Sequence, residues 1–118
     1  MDELSKSGNE LLAPQTFKAA WRVEFPDGIP SEERFFDGHF PDQPIVPGAI
    51  LLGYAAAQLS ARGFTIKNIL RIKFALSLKP NHPFTIIFLP GAKTLTVLWL
   101  TGEKLLARAR MGLRLDGE

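Results

Sequence analysis

His39 stands in the run Phe36-Asp37-Gly38-His39-Phe40-Pro41-Asp42-Gln43-Pro44-Ile45-Val46-Pro47-Gly48, and nine residues after it a Pro-Gly pair opens a strongly apolar segment. An imidazole is the side chain best suited to take or give a proton near pH 7. Pro47-Gly48 reads as a helix start, where backbone N–H groups lack intrahelical partners and the dipole is positive. Such donors suit a carbonyl oxygen that gains negative charge. A proton carrier beside an oxyanion donor points to chemistry next to an acyl carbonyl.

Both devices must be held by regular elements. Pro47 suits a first helical position, and the helix is expected from Gly48 to Arg62, with Gly63 as a left-handed stop. Its apolar residues cover nearly every face, which predicts burial all round; either Gly53 makes room for a ligand or a side chain, or a larger residue there could clash in a packed core. Phe17, Ala19, Trp21, Val23 and Phe25 alternate with Lys18, Ala20, Arg22 and Glu24, the period of a strand with one buried face. The same period returns over 71–79, and 84–89, 95–101 and 105–115 read as further strands. Pro80-Asn81-His82-Pro83, Pro90-Gly91 and Gly102-Glu103-Lys104 supply the turns, with His82 read as a turn residue. One strand, one buried helix and an antiparallel meander predict an α+β fold, a sheet wrapped around one central helix.

The 118 residues suit a single domain over 15–118, preceded by a flexible segment over 1–14. Cysteine is absent, which excludes disulfides and thiol nucleophiles and fits a reducing compartment. Residues 1–14 lack the pattern of a secretion signal, and the apolar stretch from Ile45 to Leu59 is broken by Pro47, Gly48 and Gly53. A cytoplasmic protein without a membrane span is expected. The net charge of +2 and the pI of about 9.2 come without a recognition motif, so nucleic acid is not an expected partner. The basic excess is either a solvated surface or a face for an acidic carrier protein or a phosphate-bearing thioester cofactor. Two distant histidines make no metal site. Ser60 lacks a nucleophile-elbow setting, and no glycine loop suits a nucleotide.

Gly38-His39-Phe40-Pro41, Pro44, Ile45-Val46, Pro47-Gly48 and Ala57-Gln58 follow a long and specific pattern, with weaker matches at Lys73-Phe74 and over 102–107. In these motifs and in its layout the chain resembles the hotdog-fold 3-hydroxyacyl-[acyl-carrier-protein] dehydratases of fatty-acid synthesis, the FabA/FabZ-like family. The resemblance implies His39 as the proton-transfer residue and the Gly48 N–H as the group that polarises the thioester carbonyl. It implies an acyl site that includes Phe40, Val46, Pro47, Gly48, Gly53 and Tyr54. No bound cofactor is implied beyond the substrate's phosphopantetheine arm. The implied partners are an acyl-carrier protein or coenzyme A thioester and a second copy of the chain, in a homodimer or higher oligomer.

The family carries a second proton-transfer residue, Glu or Asp, on the central helix fourteen places after the histidine and across the dimer interface. That position is Gly53 here. Tyr54 lies about 100° further round a helix and reads first as packing. Asp37 and Asp42 flank the motif as capping or solvated carboxylates, or as substitute acids. Three functions therefore stay open: a dehydratase, a non-catalytic thioester-binding or carrier-binding subunit that pairs with an active homologue, and a hotdog thioesterase.

Overall fold

The computed structural model describes residues 19–31 and 45–117. His39, Phe40, Asp37, Asp42 and the start of the expected first strand lie outside the described residues. The elements are β1 (Trp21–Phe25), α1 (Gly48–Ala61), β2 (Phe64–Phe74), β3 (Phe84–Pro90), β4 (Leu95–Thr101) and β5 (Lys104–Leu115). The strands form one antiparallel sheet in the order β1-β3-β4-β5-β2, with α1 against one face. This is the expected α+β architecture.

Two features of the expected layout are corrected. Only β3, β4 and β5 form a meander, because β2 pairs with β5 at the far edge and the chain must then cross back to β3 beside β1. The strand expected over 71–79 begins at Phe64 and leaves the ladder after Phe74. Register shifts between Ile66 and Asn68 and between Ile69 and Arg71 explain why periodicity hid its first half. Each extra residue moves the following side chains to the other face, so a period of two cannot persist through them. Beyond Phe74, the N–H groups of Ala75 and Leu76 both donate to Leu106 O, and Leu78 is buried.

The helix-facing side of the sheet is built in rows across the strands. Val23, Ile86, Trp99, Ala107 and Phe74 stand opposite one another in one row, and Trp21, Phe88, Val97, Ala109 and Ile72 in the next. Against them α1 buries Leu51, Ala55 and Leu59, spaced by four so that they share one stripe. Small Ala107 and Ala109 leave room where Trp99 and the helix must both fit. The Trp99 indole, fully buried, donates Nε1–H to Leu51 O at 2.8 Å and ties helix to sheet.

The helix is not buried all round. Ala49, Gly53 and Ala57 are exposed on the side turned from the sheet. Its C-terminus follows expectation, with Gly63 at φ +89° donating to Ser60 O. The Arg62 guanidinium lies 4.0 Å from the Trp21 ring centroid, where partial burial lowers its pKa. Gly28 has φ +68°, and a Cβ there would sit 2.3 Å from His82 O, so only glycine lets this loop lie against the 80–83 turn. That turn is further held by Asn81 N–H donating to Ile29 O and by His82 Nδ1 at 3.0 Å from Pro80 O.

Trp99→Phe should keep the fold yet lower its stability by about 1–3 kcal/mol, since it deletes the buried hydrogen bond and leaves a void. Urea unfolding at fixed protein concentration measures this. A loss below about 0.5 kcal/mol would mean that the indole tether contributes little.

Candidate active site

The start of α1 has the form an oxyanion donor needs. Pro47, at φ −60° and ψ 144°, is the N-cap and Gly48 the first helical residue, one place later than expected for the proline because its ψ is extended. Ile50 N–H donates to Pro47 O at 3.0 Å, so the N–H groups of Gly48 and Ala49 precede the helix's own bonding. No acidic residue stands in the first turn, and among the described residues no side chain caps it. The positive end of the helix is therefore not offset by its own residues.

Two anchors hold this end in place. Val46 N–H donates to Leu78 O at 2.7 Å, and the Val46 side chain is buried in the core, away from the open cleft on the helix. Phe74 covers Gly48 so closely that a Cβ on the glycine would lie 2.5 Å from the ring's Cζ. The ring itself is half exposed. An apolar wall thus flanks the N–H groups that lack intrahelical partners and limits the water that can compete for them.

From this end a cleft of about 450 Å³ runs beside the helix, lined by Phe25, Ala49, Ile50, Gly53, Tyr54, Ala57 and Gln58. Ala49, Gly53 and Ala57 recur every four residues, so their small side chains form its floor. Among the described residues, nothing beyond the helix's own backbone lies within 4 Å of where a Gly53 Cβ would be. This decides against a packed core at that position: the sheet covers only the Leu51–Leu59 side of the helix. Tyr54 both packs and lines the cleft, edge-on to Phe25 at 5.3 Å and to Phe84 at 5.7 Å.

The structure thus brings Gly53 and Tyr54 into one cleft and sets Gly48 and the exposed Pro47 at the start of the same helix. Phe25, Ala49, Ile50, Ala57 and Gln58 were not anticipated as lining residues, although the spacing of four between small residues was visible. Among the described residues that line the cleft there is no carboxylate, histidine or lysine. It can hold an apolar chain, and any proton it exchanges must come from a group outside this lining.

A family model for the ApeI-like dehydratases, "ApeI dehydratase", matches residues 15–101. The chain belongs to the ApeI-like dehydratase family. A 3-hydroxyacyl-[acyl-carrier-protein] dehydratase FabZ of Caldanaerobacter subterraneus is 44% identical over 50 residues, a match that covers 42% of this chain. That match spans only 33% of the relative's length. Among solved structures, a chain of the dehydratase heterocomplex ApeI:P from Xenorhabdus doucetiae superposes with a TM-score of 0.68 at 19% identity, over 80% of this chain and 87% of that one. The (R)-hydratase from A. caviae involved in PHA biosynthesis gives 0.61 at 17% identity, over 86% of this chain and 99% of that one. At such identities the two structures establish the shared hotdog fold. Among the described residues of this family member, no helix is long and apolar enough to cross a membrane.

The two helix glycines should respond oppositely to alanine. Gly53→Ala should raise stability by about 0.5–1 kcal/mol, since the new methyl meets nothing and the helix gains propensity. Gly48→Ala should lower it by about 1–3 kcal/mol, because the Phe74 ring must move. The Gly48→Ala cost should shrink in a Phe74→Ala background, as a double-mutant cycle by thermal melting would show. An unchanged cost there would place the strain elsewhere.

Proposed function

We propose that this chain removes water from a 3-hydroxyacyl thioester, with the acyl chain in the cleft along Ala49, Gly53 and Ala57. The observation that carries the reading is the helix start at Gly48, which presents N–H groups free of intrahelical partners at one end of that apolar cleft. In this reading the thioester carbonyl accepts from the Gly48 N–H, which stabilises negative charge as the C2 proton leaves. His39 takes that proton as base and, as acid, gives it to the C3 hydroxyl, whose C–O bond breaks to release water and leave a 2-enoyl thioester. The role of His39 rests on the pattern Gly38-His39-Phe40-Pro41 in the sequence. The thioester would be borne by an acyl-carrier protein or coenzyme A.

A dimer belongs to the same reading. The edge strand β2 exposes Ile69 (38%) and Phe74 (51%), and its outer edge has no strand beside it among the described residues. Pairing with a second chain would cover that edge.

A second reading is favoured by Gly53. Where the related dehydratases carry an acid, this chain leaves open space. In that reading the chain binds the thioester and the carboxylate comes from an active homologue across the interface. The heterocomplex named for the Xenorhabdus relative is a precedent for unlike subunits in the family.

Mass spectrometry of the purified protein with 3-hydroxyacyl and 2-enoyl thioesters tests the first reading. Loss or gain of water is expected, and binding without either would favour the second; release of free acid would mean thioester hydrolysis. His39→Ala should abolish turnover without lowering the melting temperature, and unchanged turnover would make the histidine structural. Gly53→Glu should create or raise dehydration, because one positioned acid or base is commonly worth about 10²–10⁴-fold. The cleft can accept that side chain, so a folded, dimeric Gly53→Glu protein without gain would count against a missing acid at this position.

A further inference from the structure

Ile50, Tyr54, Gln58 and, at the C-cap, Arg62 recur every four residues and so share one side of α1. The first three line the apolar cleft. β1 runs the opposite way along them, since Phe25 meets Tyr54 and Trp21 meets Arg62. The row therefore leads from the helix start, between apolar walls, to two polar groups at the far end. Among the described residues, neither the Gln58 amide nor the Arg62 guanidinium has a hydrogen-bond or ion-pair partner. The guanidinium stands 4.0 Å from the Trp21 ring centroid, and that ring stacks on Phe88 at 4.5 Å, so a packed aromatic pair fixes its place. Partial burial disfavours its charge, and no anion among the described residues compensates. A cation is favourable at a helix C-terminus, but that alone does not require it to be partly buried.

We propose that Arg62, with the Gln58 amide, reads the far end of the acyl chain and selects a chain that ends in a carboxylate; the place of that chain in the cleft rests on the reading above. The substrate class is then a thioester of a long dicarboxylic acid. Methylenes suit the Ala49, Gly53 and Ala57 floor, but a methyl end would strip water from Gln58 and give its amide nothing in return. A carboxylate end accepts from that amide and from the N–H donors of the guanidinium together. Length agrees with this assignment. Gln58 lies ten residues along the helix from Gly48, a rise of about 15 Å, and Arg62 one turn beyond. Side chains lean toward a helix's N-terminus, which brings the Arg62 head back toward Gln58. At about 1.2 Å per bond in an extended chain, roughly twelve to fourteen carbons join a carbonyl at Gly48 to a carboxylate at this end.

The test measures binding of unreactive thioether analogues to the full chain by calorimetry. The analogues share a pantetheine arm and a chain of this length, and end in a carboxylate, its methyl ester or a methyl group. The carboxylate should bind about tenfold or more tightly than the ester, as a charge-assisted pair requires. Arg62→Gln should bring the three affinities together, while Arg62→Lys should keep part of the preference. Gln58→Leu, which favours the helix, should weaken the preference severalfold and replaces Arg62→Gln if that variant fails to fold. Equal affinity for carboxylate and ester would overturn the assignment, as would a preference that survives Arg62→Gln or, in its place, Gln58→Leu. Dehydration of the matching 3-hydroxyacyl thioesters, followed in parallel, separates this inference from the catalytic reading. Turnover without preference for the chain end would sink the carboxylate site and leave the dehydratase standing. A carboxylate preference without turnover would do the reverse, and failure to bind any analogue would overturn both.

Discussion

Everything at the candidate site depends on one packing constraint, the seating of α1 on the sheet through Leu51, Ala55 and Leu59. A helix presents only one stripe to a flat neighbour, and the sheet uses that stripe fully. The Trp99 indole, donating to Leu51 O, ties that stripe to β4 and so fixes the helix's rotation on the sheet. With that rotation chosen, Ala49, Gly53 and Ala57 necessarily face away, and their small side chains leave a groove instead of a ridge. The cleft is thus a by-product of the core.

The same seating decides the helix's end. Val46 is buried and bonded to Leu78, which brings the chain into α1 from a fixed direction. Phe74, from the last position of β2, then closes over Gly48. The backbone N–H groups there are positioned by packing on both sides, with no capping side chain among the described residues. A polar cap would occupy the donors that an oxyanion needs, so an uncapped start held by apolar contacts suits the proposed chemistry.

The two faces of the sheet have separate physical characters. One is apolar, row after row, and holds the helix. The other mixes half-buried aliphatic residues with an unbalanced group of cations on β2 and β5. A sheet can bear such a group because the charges stand in water, where mutual repulsion is screened to a modest cost. A fold selected for stability alone would intersperse acidic residues at these positions.

Much was readable in the amino-acid order. The helix from Gly48, its stop at Gly63 and four of the five strands rest on local rules: a proline that cannot continue a ladder, a glycine that takes positive φ, and alternation over an uninterrupted pleat. β2 escaped because two register shifts broke its alternation, and its place beside β5 escaped because pairing partners leave no mark in a local pattern. The resemblance likewise set Gly53 where its family carries an acid, and left open whether the glycine makes room for a ligand or lies in a packed core. Only the tertiary structure decided that this glycine faces open space, since that depends on which helix face the distant Trp99 draws onto the sheet.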